Sequence, residues 1–229
     1  MGIFSGIVIP KLLYSTRSSH NDLIEVYQVG ATRKILVGNV VQSLNADSPL
    51  CKRLVWGKVA ELLKKEEPEL KKVLVLGLGG GTMQHLISRE FPNASIVSVE
   101  VDPAMVQIAS DYFDLDKIAN HIVVTNDACR VVIEPTTFGL NKNIFQAVVI
   151  DIYVGERYPE LGTSGNFLAA VRDMVFPGGL VIINRIYIKS HQEDVDNFIE
   201  FVSGFLKDVQ TEIVAGYTNS DNILIYGRT

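Results

Sequence analysis

Four glycines fall within five residues, Gly77, Gly79, Gly80 and Gly81, between an apolar run at 73–76 and a segment of helical spacing that starts at Thr82. A backbone without β-carbons can bend sharply there and come close to a ligand. Glu100 ends the next apolar run, with Val101 after it. In a β-α-β nucleotide site an acid placed about 20 residues past the glycines hydrogen-bonds ribose hydroxyls. Two further acids, Asp127 in "TNDA" and Asp151 in "VVID", also end apolar runs. In an open α/β sheet the carboxyl ends of the strands rim the ligand crevice, so Glu100, Asp127 and Asp151 are expected to converge on one opening. Each feature has a plainer alternative. The glycines could serve strand–helix packing, the loop acids could cap helices, and Asp102, directly before Pro103, reads as an N-cap.

The elements that must position these groups follow from periodicity. "DLIEVYQVG", "RKILVG" and "VVQSL", separated by Gly30 and by Gly38-Asn39, read as short antiparallel strands. Residues 49–63 place Leu50, Leu54, Val55, Val59 and Leu62 at helical spacing, and "KKEEPELKK" reads as a solvated connection. A small β unit over 1–48 and a main domain over 49–229 are therefore expected. In the latter, strands at 73–76 and 96–99 alternate with helices from Thr82 and from Pro103. "HIVVT", "AVVID" and "GLVIIN" follow, and residues 173–176 are expected to end a helix. "VQTEIVAGY" and "NILIYGR", joined by "TNSDN", have hairpin spacing. The sum is an α/β fold, a doubly wound, Rossmann-like sheet of seven strands with an antiparallel C-terminal hairpin.

Dinucleotide and S-adenosyl ligands both use such a loop and acid. The dinucleotide pattern spaces its glycines as GxGxxG to seat a pyrophosphate. The crowding at 77–81, the final hairpin and Asp127 favour an adenosyl sulfonium, whose attached carbons are electrophilic. Catalysis then consists of aligning a nucleophile beside an acid that takes a proton, and Asp151 is the candidate.

The run "VLVLGLGGGTMQHLI", the segment "VSVEVDPAMVQIA", the "NDA" turn, "FQAVVID" and the preceding "GNVVQSLN" resemble the spermidine synthase family, from about Asp22 onward. The resemblance implies the class I methyltransferase fold and S-adenosylmethionine, or its decarboxylated form, as ligand. It implies that Gly77, Gly79, Gly80 and Gly81 line the methionine-derived part and that Glu100 holds the ribose. Asp127 with Ala128 would meet the adenine edge, Gln42 would lie near the sulfonium, and Asp151 matches the first aspartate of the catalytic loop.

The amine-recognising residues of that family do not carry over. Gly80 stands where an acid is usual, Val154 replaces the second carboxylate of the catalytic loop, and Arg53 stands where an acid would be. A diamine carries two charges, and a buried cation without a carboxylate costs several kcal/mol. Methyl transfer to a small-molecule acceptor is thus the leading expectation. Aminopropyl transfer is the alternative, with Glu156 or Glu160 supplying the missing acid, and a nucleoside-binding protein without turnover is a third reading. Tyr153, Glu156, Arg157, Tyr158 and Glu160 lie in a stretch suited to a substrate-facing lid.

Composition narrows the classes. A net charge of -5 disfavours nucleic acid and anionic membranes as partners. The apolar start lacks a basic leader and is shorter than the ~20 residues of a membrane span. Cys51 and Cys129 show no metal-ligand spacing, so no metal is expected and a reducing cytoplasm fits. The four histidines, His20, His85, His121 and His191, read as surface or core residues, and Trp56 as packing. Exposed N-terminal strand edges make a homodimer an expectation.

Overall fold

A computed structural model describes residues 9–38, 40–153, 165–187, 192–217 and 221–229. Two sheets organise them. β1 (Lys11–Thr16), β2 (Ile24–Val29), β3 (Thr32–Val37) and β4 (Val40–Leu44) form an antiparallel meander in that order. β1 escapes sequence reading because none of its residues is fully buried, so no apolar alternation marks it. Its pairing with β2 defines it instead.

The second sheet has the order β10-β11-β9-β8-β5-β6-β7. Its strands are β5 (Lys72–Leu76), β6 (Ser95–Glu100), β7 (His121–Thr125), β8 (Phe145–Ile150), β9 (Val175–Tyr187), β10 (Lys207–Val214) and β11 (Asp221–Arg228). β5 to β9 run parallel, whereas β11 joins β9 antiparallel and β10 joins β11 antiparallel. From β5 the chain steps outward to β6 and β7, then returns to the other side of β5 for β8. That reversal opens a crevice past the ends of β5 and β8.

Because side chains alternate along a strand, the central strands bury two faces. Val73 and Val75 pack with Val59, Leu62 and Leu63 of α1 (Val55–Glu66) and with Met83 and Ile87 of α2 (Thr82–Glu90). Leu74 and Leu76 pack with Val131 of α4 (Ala128–Ile133), Phe167 of α5 (Gly165–Met174) and Phe198 of α6 (Gln192–Ser203). α3 (Pro103–Phe113) joins the two sheets, with Met105, Ile108 and Phe113 against Ile24, Val26, Ile35 and Val37. A second tie is buried. The Thr82 hydroxyl donates to the Leu44 carbonyl and accepts from the Leu44 amide.

Two expected boundaries are corrected. α5 ends at Met174, and Val175 already pairs with Phe145; the register then jumps to Ala147 opposite Leu180, leaving residues 176–179 as a bulge. Pro177 and the positive φ of Gly178 suit that excursion. α1 runs past Leu63 to Glu66, where Glu66 and Glu67 both pair with Arg228 of β11. Among the described residues no helix is long and apolar enough to cross a membrane.

Candidate functional site

The glycine loop begins where β5 ends, its first amide bonded to the Val99 carbonyl at 2.8 Å. Gly77 has φ +108° and Gly79 φ +55°, and both line an open cleft together with Leu78. Gly80 and Gly81 do not line it. The Gly80 amide donates to Ser43 Oγ at 2.7 Å, and a β-carbon there would press on Ile35, Ser43 and Phe113. At Gly81 it would stand 2.8 Å from Leu115. Packing against β3, β4 and α3 explains Gly80, and a φ of +77° at the start of α2 explains Gly81.

The three strand-end acids do converge: Glu100, Asp127 and Asp151 all line the same open cleft. Glu100 accepts from the Leu78 amide at 3.2 Å and the Asp102 amide at 3.0 Å. Burial pushes its pKa up, while the amides of Asp102, Leu78 and Gly79 pull the other way. Asp127 also caps α4, accepting from the Arg130 amide at 2.9 Å, so the cap and the cleft position coexist. Val101, Asn126 and Ala128 complete that end. Asp102 is the N-cap of α3, accepting from the Ala104 amide. Its second oxygen accepts from Ser18 Oγ at 2.5 Å and Asn21 Nδ2 at 2.6 Å. That clamp draws His20 and Asn21 up as a cleft wall.

A second cavity adjoins the first and shares Gln42, Leu78, Gly79, Asp151 and Tyr153 with it. It continues between an apolar side, Leu54, Val55 and Trp56, and a polar side, Asn184, Asn222 and Tyr217. Trp56 is a buried packing residue and a cavity wall at once. Arg53 is exposed on the turn before α1 and lines neither cavity. Asp151 sits at the junction, where burial pushes its pKa up and a hydrogen bond from Asn184 opposes the rise.

Sequence reasoning missed His20, Asn21, Asn184, Tyr217 and Asn222. For Asn184 a signal existed, an amide closing the apolar run "LVIIN". Glu156, Arg157, Tyr158 and Glu160 lie outside the described residues, as does His191. His85 and His121 are structural: one ring bonds the Phe113 carbonyl at 2.8 Å, the other Ser98 Oγ at 2.9 Å. Among the described residues no cluster of His, Cys, Asp and Glu could hold a metal.

Comparison with known proteins places these features in context. The family model for the spermine/spermidine synthase domain matches residues 57–227. A polyamine aminopropyltransferase of Vibrio vulnificus is 31% identical over 151 residues, covering 64% of this chain and 49% of that protein. An eEF1A lysine and N-terminal methyltransferase homolog of Drosophila melanogaster is 34% identical over 125 residues, 51% of this chain and 18% of that one. The chain thus spans half or less of these relatives' lengths. A spermidine synthase in complex with the transition state analogue AdoDATO superposes with a TM-score of 0.78 at 14% identity, covering 95% of this chain and 73% of the other.

Proposed function

This chain belongs to the spermine/spermidine synthase domain family, and on that premise we propose that it is a transferase that takes S-adenosylmethionine and moves its methyl group to a small-molecule acceptor. The observation that carries this reading is the meeting of two cavities at Asp151. One has the glycine bend and ribose-ready acid of a nucleoside site. The other is lined about equally by apolar side chains and by amides and phenols, with Asp151 its one carboxylate among the described residues.

A bound sulfonium supplies a carbon that a nucleophile can attack. Everything else is left to this chain. Gly77 and Gly79 let the backbone approach the methionine part, and Gln42 stands at the junction near the sulfonium. The Glu100 carboxylate offers about four lone-pair sites to the amides of Asp102, Leu78 and Gly79, which leaves room for a ribose hydroxyl. Asp127 and Ala128 stand where the adenine edge would lie. Asp151 orients the acceptor and takes its proton; a carboxylate raised by burial is a better base for this than a solvated one. In this reading the four-stranded sheet, within 1–48, walls the cleft that 49–229 provides. A cytoplasmic setting and pairing of copies through the exposed strand β1 belong to the same reading.

The second cavity favours methyl transfer because, among the described residues, a dication would meet a single acid there. The second reading, aminopropyl transfer from the decarboxylated ligand, draws support from the Vibrio relative and from Glu156 and Glu160. Calorimetric titration with the two sulfonium compounds tests the choice. Tighter binding of the carboxylated form is expected, and tighter binding of the decarboxylated form would favour polyamine chemistry. Binding with no product from a broad acceptor panel would point to a non-catalytic protein.

A further inference from the structure

We propose that Asn184 and Asn222 are positioning residues that lock the Asp151 carboxylate in one orientation, through a relay of amides across strands β8, β9 and β11. This rests on the reading of Asp151 as the acceptor-facing group. Asn184 is buried, three residues before the end of β9. Its Nδ2 donates to Asp151 Oδ1 at 2.7 Å, its Oδ1 accepts from Asn222 Nδ2 at 3.0 Å, and its backbone carbonyl accepts from the Tyr153 hydroxyl at 2.9 Å. In the β9–β11 ladder Asn184 stands opposite Leu224 and Asn222 opposite Ile186, so the two amides are diagonal neighbours on one face.

The chemistry of the three groups fixes the direction of the relay. An ionised carboxylate only accepts, so the NH2 of Asn184 must face Asp151 and its oxygen must face away. The NH2 of Asn222 meets that oxygen and disfavours the flipped amide, which would set oxygen against oxygen. One carboxylate oxygen is therefore committed to Asn184. Asp151 lies at the end of β8, on a chain that runs on into 152–153 without regular structure. Backbone alone would leave its carboxylate free to rotate, and the relay removes that freedom.

The test reads Asp151 directly, in the whole protein without donor or acceptor. Protein labelled with carbon-13 at aspartate carboxyl groups is titrated by NMR, and the Asp151 signal is assigned by its loss in Asp151→Asn. Glu100, Asp127 and His20 share the nucleoside cleft with Asp151; Tyr153 and Tyr217 share the second cavity with it, and all five stay unchanged in every variant. In Asn184→Ala the Asp151 midpoint should move up by about one unit, because a hydrogen bond to the charged form is lost. Asn222→Leu, which adds no charge, should move it the same way by less. The double variant should match Asn184→Ala alone, since Asn222 acts only through Asn184. An unchanged midpoint in Asn184→Ala overturns the proposal, and additive shifts or an inert Asn222→Leu overturn the role given to Asn222. If Asn184→Ala does not fold, Asn222→Leu decides. A purely structural role would lower the melting temperature and leave the midpoint in place. Failure to bind either sulfonium compound would sink the transferase reading without touching this result.

Discussion

The Asp151 carbonyl oxygen stands 2.1 Å from where a β-carbon on residue 77 would lie, so Gly77 and Asp151 fit together only because residue 77 has no side chain. They meet where β5 and β8 end, at the reversal of strand order. The same close approach brings the bend and the junction carboxylate into one cleft.

Gly77→Ala should therefore harm fold and site together. The variant faces a backbone clash and a φ of +108° that an alanine avoids. A loss of at least about 2 kcal/mol is expected, read as a lower urea midpoint. Wild-type stability would show that β8 can yield at Asp151.

Asp151→Asn should gain stability at neutral pH while losing function, whereas Glu100→Gln, whose NH2 would face a backbone amide that the carboxylate accepts from, should not gain it. Burial raises both pKa values, above the ordinary 3.8 for Asp151 and 4.5 for Glu100. In that window the folded protein holds more protons than the unfolded chain. Stability accordingly falls as pH rises through the folded-state pKa, and the penalty is absent below the unfolded one. The neutral Asp151→Asn variant escapes it, so its advantage in urea midpoint at pH 7 should shrink toward pH 4. Glu100→Gln should also weaken binding of the sulfonium ligand by about tenfold, about 1.4 kcal/mol for a hydrogen bond to a charged group.

His121 gives the opposite slope. Burial lowers its pKa from 6.5 to about 4, and the ring is neutral against Ser98. Below pH 6.5 the unfolded chain takes up a proton that the folded one refuses, so stability falls as pH drops from 6.5 toward 4, by up to about 3 kcal/mol. His121→Gln should flatten urea midpoints across that range. An equally steep profile in the variant would assign the acid sensitivity elsewhere.

Asp102→Ala should release the segment around Ser18 and Asn21 as well as the start of α3. Loss of the cap alone is worth about 1 kcal/mol. The specific sign is faster amide exchange at residues 18–21, accompanied by weaker ligand binding because His20 and Asn21 no longer wall the cleft. Exchange confined to α3 would mean that the clamp is dispensable.

The sequence by itself determined the large sheet, the glycine bend and the three convergent acids. Those features are local: short continuous apolar runs mark buried parallel strands, and a doubly wound sheet collects their carboxyl ends at one rim whatever else the chain does. Asp102 could be recognised as a cap for the same reason, since Pro103 follows it directly. Tertiary structure alone decided which glycines face the cleft. Gly80 and Gly81 look equivalent to Gly77 in the chain, yet Ser43 and Leu115 occupy the space beside them. It also decided strand β1, which has no buried residue to betray it, and the relay from Asn222 to Asp151. Those three side chains are distant in sequence, and only the antiparallel pairing of β11 with β9, beside β8, brings their polar atoms within hydrogen-bond reach.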